Sequence, residues 1–474
     1  MHPYTFFAVA AVIAGLLYTV KSAKAQFALL ASYVALLGGF TWHEFLASRV
    51  IETPYMYADE LSVVLMAALT VLGAASALQG YFYSRNGGDT PKRIARHNAA
   101  LVAFLTVLVG IFISQHLGLI WAFLEASTLL AAILIYHNRT RSSTEATWKY
   151  VFICSIGIAI AFAGILFLGI AYDHHDLSLA TLHDHAHVLN SSWVKMSILF
   201  QLVGASVKMG VVPLFSADID AKDAAPSHIS ALLSGAMMCA GFTAIFRVYS
   251  VYANTELRPW LNGLFLLTGA LSILIAAIYI LKVRNFKRLL AYSCCEHAGI
   301  VLVAIGCGAW YAAVLHLLLH AFAKTALYFQ YNHYFRIFKT KDIHAGGRYM
   351  SIHPAGSGVL ILGMLALCGL PPMGTFITEL ITIRTLLATP WWGWAIPVLF
   401  LFVVIIWALT SHINGVLFST DNGEEKYQKH VPRTMALETL PQYALLGIVI
   451  WLGFFAPQSI VAYIQRASVI YPLH

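Results

Sequence analysis

The chain has 474 residues, of which 59% are hydrophobic and 11% charged, and its mean hydropathy is +0.75. An ordinary soluble domain is about 25% charged, so this composition excludes a protein with a water-facing surface all round. The net charge of +8 does not indicate nucleic-acid binding, because the basic residues lie singly between apolar segments. The composition predicts an all-α integral membrane protein in a lipid bilayer.

Apolar windows of about 20 residues predict about fourteen transmembrane helices. The first has no basic residue ahead of it and no evident cleavage site, so it is predicted to be retained. The twelfth is over-long and interrupted at Pro371-Pro372, which predicts two half-helices. The windows are 4–21, 26–48, 60–84, 97–114, 117–136, 149–172, 193–215, 228–252, 260–282, 289–307, 309–335, 355–388, 392–417 and 438–465.

Basic residues are concentrated in alternate loops. The odd-numbered loops hold 21 of the 29 lysines and arginines. Because cytoplasmic loops carry the excess of basic residues, the odd loops are predicted to be cytoplasmic and both termini periplasmic. The sequence therefore predicts a multi-pass protein of the cell inner membrane.

Four strongly ionisable residues lie inside predicted spans, namely Glu125, Lys208, Lys324 and Glu379. A charge at the centre of a membrane helix costs about 2.5–3.5 kcal/mol on insertion scales, so such residues are functional candidates. His316 and His320 precede Lys324 at intervals of four residues and share its helix face. Because histidine titrates near neutrality, this stripe predicts a path for protons; the alternative is polar side chains that satisfy one another between helices.

Two of the charges stand beside predicted helix breaks. Lys208 precedes Pro213 by five residues, and Glu379 follows Gly374, the last residue of an interruption that also contains Pro371 and Pro372, by five residues. Broken helices at corresponding positions in two halves mark ion sites in many transporters. We therefore predict two inverted five-helix repeats with helices 7 and 12 broken. The repeats are 97–252 and 260–417, with three helices ahead (1–96) and a last helix (438–465).

The sequence gives little indication of a metal or cofactor in this chain. The six cysteines lie in apolar runs without a CxxC pair and are predicted to be core residues. A polar outer loop carries DHHD from Asp173 to Asp176 and HDHAH from His183 to His187. His183, His185 and His187 are weak metal-ligand candidates there, against the ordinary alternative of a solvated loop.

Five motifs in order carry a family resemblance, from about Leu117 to Ile383. They are KMGVVPL, AAPSHISALLSGA, FKRLLAYSCCEHAG, HLLLHAFAKTALYF and ALCGLPPMGTFITE. The chain resembles the antiporter-like subunits of respiratory complex I, and most closely the hydrogenase-4 and formate-hydrogenlyase branch of membrane-bound nickel–iron hydrogenases. An acidic residue at Glu296 is typical of that branch.

The resemblance implies roles for individual residues. Glu125 matches a fifth-helix glutamate that pairs with a seventh-helix lysine, here Lys208. His320 and Lys324 match the central relay of the eleventh helix, and Glu379 matches the carboxylate from which the proton leaves. The possible accessory residues are Lys287, Glu296, His297, His228 and His412. Lys287 matches a family position ahead of the tenth helix but could equally be a topology charge in a basic loop.

The loop after the seventh helix departs from the family pattern. Relatives read like HxWLPDAHxxAP, whereas this chain reads FSADIDAKDAAP. The replacements at the family's marked positions are Phe215, Ala217, Ile219 and Lys222. Cys239 stands where some members carry a relay lysine. These departures put the proton's entry route in doubt and leave the second half unchanged.

The resemblance implies a proton-translocating membrane subunit, itself non-catalytic, of a multisubunit oxidoreductase complex. Electrons would pass through peripheral redox subunits with iron–sulfur clusters and, in the hydrogenase branch, a nickel–iron centre. Other membrane subunits would be further partners. The alternatives are a subunit of a multisubunit cation/proton antiporter, the membrane half of an inorganic-carbon uptake system coupled to a zinc protein, and a subunit that only anchors and seals the complex.

Overall fold

The computed structural model describes residues 2–47, 53, 55–87, 89–171, 176–187, 189–345, 347–419 and 438–469. Across these ranges the chain is almost entirely helical, with three isolated β-bridges and no strand. The predicted all-α membrane fold is confirmed.

Twenty α-helices follow one another in the described ranges. Those of the first part are α1 Pro3–Thr19, α2 Ala23–Ala47, α3 Glu60–Gly87, α4 Pro91–Ile113, α5 Leu117–Ile135, α6 Arg141–Ala171, α7 Leu179–His185, α8 Ser191–Met209, α9 Ser216–Ala224, α10 Ser227–Ser234 and α11 Ala236–Tyr252. Those of the second are α12 Arg258–Ile280, α13 Phe286–Cys307, α14 Trp310–Phe338, α15 Tyr349–Ile352, α16 Pro354–Leu367, α17 Gly374–Leu387, α18 Ala395–Phe418, α19 Leu440–Ile450 and α20 Gln458–Ala467.

Ten spans in the described ranges are long and apolar enough to cross a bilayer, or eleven if one bent pair counts as a span. The count of fourteen therefore stays a prediction, as do the repeat boundaries. The sixth helix begins at Arg141, eight residues before the predicted start. Its first two turns are polar, so a hydropathy window placed the boundary too late.

The last span differs from its prediction as one continuous helix over 438–465. After α19 the chain makes a π-helical turn over Trp451–Phe455, and α20 then leaves at 93°. Pro457 lies at the bend, where its missing N–H and its ring prevent the α-helix from continuing. The bend converts the C-terminal stretch into two differently oriented segments.

The two predicted helix breaks are present and share a local pattern. α8 ends at Met209 and α16 ends at Leu367, and each is followed by a glycine with positive φ: Gly210 at +77° and Gly369 at +55°. In both breaks a proline stands three residues after that glycine. Glycine is favoured there because residues with a Cβ are strained in the left-handed region.

The chain forms two compact units. The first unit comprises Met1–Ile229, Ala236–Leu261 and Ala462–His474, and the second comprises Ser230–Gly235 and Asn262–Val461. In the first unit α6 packs along α8, and α4 lies against α1 and α5. In the second unit α14 contacts α13, α16, α17 and α19.

Burial differs sharply among the helices of the second unit. The membrane-length stretches of α13 and α14 are completely buried, although they carry histidine, glutamate and lysine. By contrast, α18 exposes Phe400, Val403 and Trp407 by about two thirds of their surface. Polar helices thus lie inside and an apolar one outside, as expected of a protein surrounded by lipid.

Candidate functional site

Lys208 lies at the end of α8 in the interior of the first unit. Its side chain is 1% exposed, and Nζ donates a 2.7 Å hydrogen bond to Oγ1 of Thr128 on α5. On the other side, Nζ lies 3.5 Å from the Tyr150 hydroxyl and 5.3 Å from the centre of the same ring. A hydroxyl acceptor and an aromatic face together stabilise a buried ammonium.

Glu125 lies on α5 and approaches Lys208 without an ion pair within 4.0 Å among the described residues. Instead, Oε1 accepts a 2.8 Å hydrogen bond from Ser155 on α6, and Oε2 is buried without a hydrogen-bond partner. Thr128, just under a turn further along α5, accepts the hydrogen bond of the Lys208 ammonium in place of the carboxylate. The pair implied by the resemblance is therefore nearby but open in this structure.

The first unit also contains a buried ion pair that was not predicted from the sequence. Asp218 and Lys222 lie one turn apart on α9, and Lys222 Nζ donates to Asp218 Oδ2. Both side chains are at most 5% exposed. In the family pattern a leucine stands at the position of Asp218 and a histidine at that of Lys222. The negative charge of Asp218 therefore compensates the positive charge of Lys222. The i, i+4 spacing of opposite charges is the sequence signal from which this pair could have been predicted.

The Asp218 carboxylate also fills the helix break. A Cβ added to Gly210 would lie 2.7 Å from Asp218 Oδ2. Glycine at this position therefore lets a carboxylate approach the backbone just two residues after Lys208. Asp218 is thus placed to influence that lysine.

In the second unit, Lys324 is completely buried in the middle of α14. Nζ donates to the Ser293 hydroxyl and, at 3.0 Å, to the carbonyl of Leu290, both on α13. Glu296, one turn further along α13, is 4% exposed, and its Oε2 has no hydrogen-bond partner among the described groups. The ammonium thus lies among neutral oxygens with an ionisable carboxyl close by.

Three histidines form a contacting cluster beyond Lys324. His297 Nδ1 and His316 Nε2 are 2.9 Å apart and hydrogen-bonded, and the rings of His297 and His320 are 5.0 Å apart. His316 Nδ1 also lies 2.8 Å from the hydroxyl of Thr378 on α17. His297, predicted only as an accessory residue, is the member that joins the other two. Its position on α13 could not be read from the four-residue stripe, which lies entirely on α14.

Glu379 extends this cluster onto α17. One nitrogen each of His297 and His316 and a carboxylate oxygen of Glu379 lie within 4.8 Å of one another. The carboxylate also lies against Gly369 in the helix break, where an added Cβ would overlap Oε2 of Glu379. The break therefore accommodates the carboxylate at the end of the histidine cluster, as the Gly210 break accommodates Asp218.

The remaining accessory candidates lie apart from this cluster. Lys287 is 3% exposed and has Nζ 5.4 Å from the centre of the Tyr331 ring, so it is a buried cation and not a solvated topology charge. His412 is hydrogen-bonded through Nε2 to the carbonyl of Ile280 at 2.8 Å, at the end of α12. His228 lies in the first unit, hydrogen-bonded to His97.

The polar segment from Asp176 to His187 does not bring its histidines together as a ligand set within the residues described. The Asp176 carboxylate accepts hydrogen bonds from Ser178 and Thr181 at the start of α7, and His185 Nδ1 lies 2.9 Å from the Thr181 carbonyl. Asp173, His174 and His175 lie outside the described residues. Over the described part of the chain, His183, His185 and His187 do not form a three-ligand group.

Comparisons with known proteins agree with the predicted resemblance. Residues 114–408 match the family described as NADH:quinone oxidoreductase/Mrp antiporter, transmembrane. The chain is 31% identical over 431 residues to the hydrogenase-4 component F homolog of Methylacidiphilum infernorum (isolate V4), covering 88% of each protein.

Solved structures share the fold at low sequence identity. A chain of the membrane-bound sulfane sulfur reductase, an archaeal respiratory membrane complex, has a TM-score of 0.85 at 20% identity, with 98% of this chain and 96% of that chain covered. A chain of the Mrp complex from Dietzia sp. DQ12-45-1b has a TM-score of 0.83 at 16% identity, with the same coverage. These likenesses establish the fold alone.

Proposed function

Because the chain belongs to the NADH:quinone oxidoreductase/Mrp antiporter family, we propose that it carries protons across the membrane through its two buried polar sites. It is an antiporter-like membrane subunit of the complex I and hydrogenase type, and other membrane subunits are its partners. The observation that carries the proposal is the cluster of His320, His297, His316 and Glu379 in the second unit, together with the buried Lys324 on the same helix as His316 and His320.

The cluster supports a sequence of proton transfers. Lys324 gives its proton to the histidines, which pass it along because an imidazole can accept on one nitrogen and release from the other. His297 and His316 already share an N–H···N hydrogen bond, so a proton crosses that step without movement of heavy atoms. Glu379 then accepts the proton and releases it where the helix break meets water.

In the first unit, Lys208 acts as the switch. Its ammonium is held by Thr128 and Tyr150, while the Glu125 carboxylate, which accepts a hydrogen bond from Ser155, would approach and withdraw in the cycle. When a unit negative charge moves from about 4 Å to about 8 Å from the ammonium, their attraction weakens by about 2 kcal/mol at an effective dielectric constant of about 20. That is about thirtyfold in proton occupancy, enough to move a proton in each cycle.

The driving force is proposed to come from partner subunits. Peripheral redox subunits with iron–sulfur clusters, and a nickel–iron centre if the complex is a hydrogenase, would supply electron transfer. The name of the relative from Methylacidiphilum infernorum supports the hydrogenase branch. The location would be the cell inner membrane with both termini periplasmic, as the distribution of basic loops indicates.

A second candidate is a subunit of a multisubunit cation/proton antiporter driven by an ion gradient. The fold shared with the Mrp complex favours it. The two candidates use the same buried residues and differ in their partners. The carbon-uptake alternative has no comparable support.

Purification of the native complex in mild detergent distinguishes these candidates. We expect iron–sulfur subunits to co-purify, with nickel if the hydrogenase branch is right. Membrane antiporter subunits without iron or nickel would favour the gradient-driven candidate, and a zinc protein alone would favour carbon uptake. A periplasm-active reporter inserted at Lys339 should be silent if that loop is cytoplasmic; activity there would reverse the orientation.

A further inference from the structure

A row of buried histidines in the first unit lies outside the two sites described above. His228, at the start of α10, and His97, on α4, have their Nε2 atoms 2.8 Å apart. His97 in turn contacts His137, at the end of α5, with ring centres 4.4 Å apart. The three side chains are at most 7% exposed. Sequence reasoning had singled out only His228.

The row ends at a carboxylate in the loop between α3 and α4. His137 Nε2 lies 3.0 Å from Asp89 Oδ2, and Asp89 Oδ1 is paired with Arg93 at 3.2 Å. The Arg93 side chain is 28% exposed, so this end reaches the protein surface. The loop belongs to the odd-numbered set that the positive-inside rule assigns to the cytoplasm. The row therefore leads from that face into the interior.

The chemistry of the row suits proton transfer. An N–H···N bond between two imidazoles needs one proton, and that proton can shift from one ring to the other along the bond. His97 Nδ1 is buried and has no hydrogen-bond partner among the described groups. This atom is available to take a proton from His137 when either ring rotates. His97 can then release a proton from Nε2 to His228.

The second unit contains a related, shorter arrangement with two histidines. Arg336 Nη1 is paired with Glu438 Oε2 at 2.5 Å, and His333 Nε2 lies 3.2 Å from that oxygen. His353 Nε2 is in turn 3.4 Å from His333 Nδ1. Each unit thus holds an arginine-bound carboxylate, a first histidine and a second buried histidine. Side-chain packing alone does not require histidines at these positions. It also does not require a carboxylate followed by two histidines in both units.

We propose that Asp89, His137, His97 and His228 form the path by which protons enter the first unit from the cytoplasmic face. The inference rests on the proposed proton transport and adds its entry route. A proton from water binds at the Asp89–His137 pair, moves to His97 and then to His228. A proton that arrives on one nitrogen of His137 leaves from the other nitrogen of the same ring, so each step transfers one proton between neighbouring residues and no other co-reactant is required.

Glutamine substitutions test this path in the native complex reconstituted into liposomes. His97→Gln and His228→Gln keep a side-chain amide near the position of Nε2 but cannot carry a proton. With a valinomycin-induced potassium diffusion potential and a pH dye inside the vesicles, proton uptake should fall about tenfold or more in each variant. His116→Asn, at the opposite end of α5, is the matched control and should transport like the wild type.

A pair of variants at Asp89 separates proton transfer from structure. Asp89→Glu keeps a titratable carboxyl group and should retain most uptake, whereas Asp89→Asn keeps the shape and should lose it. If all the histidine variants and Asp89→Asn transport normally while Glu379→Gln is blocked, the entry path is wrong and the proposed function stands. If Glu379→Gln also transports normally, both proposals fail. Co-purification with the partner subunits verifies assembly. If a histidine variant fails to assemble, the comparison of Asp89→Glu with Asp89→Asn tests the entry path.

Discussion

The Glu379 carboxylate and the backbone of Gly369 are packed so tightly that no side chain fits between them. A Cβ at Gly369 would overlap Oε2 of Glu379, well inside van der Waals contact. Gly369 therefore has two roles: it permits the helix break, and its small size allows the Glu379 carboxylate to occupy this position.

The first prediction concerns Gly369→Ala. The substitution adds left-handed strain of about 1 kcal/mol and also displaces the carboxylate, so proton transport should fall about tenfold or more. Gly308→Ala is the control, because Gly308 has φ +88° but open space around its Cβ position. The Gly308→Ala variant should have the same backbone strain but should transport protons normally. Equal loss in both variants, measured as vesicle proton uptake, would attribute the effect to backbone strain alone.

The second prediction concerns the chemistry of Glu379. Glu379→Gln keeps volume and hydrogen bonding but cannot carry a proton, so transport should stop while the complex still assembles. Glu379→Asp, shorter by one methylene, should retain part of the activity. Proton uptake is compared with co-purification of partner subunits in the same membranes. Wild-type uptake by Glu379→Gln would make this residue a packing residue and leave the exit elsewhere, with His412 as the next candidate.

The third prediction concerns the switch in the first unit. Lys208→Ala and Glu125→Ala should each lower ion movement about tenfold or more without preventing assembly, since each removes one member of the charge pair. Lys195→Ala, near the start of the same α8, is the matched control because its Nζ lies over the Trp260 ring, 5.9 Å from the ring centre. Loss of the complex in the Lys208 and Glu125 variants would instead favour a structural role.

The fourth prediction concerns the Asp218–Lys222 pair. Removing one partner of a buried pair leaves an uncompensated charge and costs about 3–5 kcal/mol, whereas replacing both by apolar residues is often neutral. Asp218→Leu alone should therefore lower the Tm of the complex more than the double variant Asp218→Leu, Lys222→Met. Differential scanning fluorimetry of the purified complex measures both. Additive losses would show that the two charges are not coupled.

The fifth prediction concerns pH and the clamp between Asp59 and Arg247. Two guanidinium nitrogens lie 2.9 and 3.2 Å from the carboxylate oxygens. Burial favours the neutral acid, but the Arg247 charge and Ser62 outweigh it, so the pKa of Asp59 is lowered. Its stabilisation is present above about pH 4, the ordinary value, and is lost as the pH falls through the lower folded pKa.

Asp59→Asn should accordingly lower the free energy of unfolding near pH 7 by about 1–3 kcal/mol, and with it the Tm. On acidification, the Tm of this variant should fall less than the Tm of the wild type. Glu145→Gln, whose side chain is 62% exposed, is the control and should change little. The Tm of the purified complex is measured from pH 7 to pH 3. Parallel curves for wild type and Asp59→Asn would contradict the assignment.

Much of the fold follows from local patterns in the sequence. Hydropathy indicated a membrane protein made of helices, and the prolines near Lys208 and Glu379 located both breaks, because these signals act within a turn or two. The bend at Pro457 was available to the same reasoning and was missed because the hydropathy window ran across it.

The candidate site was predictable only in part. The stripe of His316, His320 and Lys324 lies on one helix and could be read directly. The central place of His297, the contact between Gly369 and Glu379, and the row through His97 depend on which helices pack together. The open geometry of Glu125 and Lys208 depends likewise on the rotamers of side chains from two helices. These features require tertiary structure, which no spacing rule supplies.

The complete burial of α13 and α14 bears on how the chain is made. These helices carry the lysine and the three histidines of the second unit's site, and their membrane-length stretches are fully buried, so neither is well suited to leave the insertion machinery alone. The side chains of Lys324, His297 and His316 find partners on α13, α14 and α17, and α17 is synthesised later. The ribosome must therefore deliver more than a hundred residues, from α13 to α19, before the polar centre is enclosed. We expect these helices to remain together near the translocon and to enter the bilayer as a group.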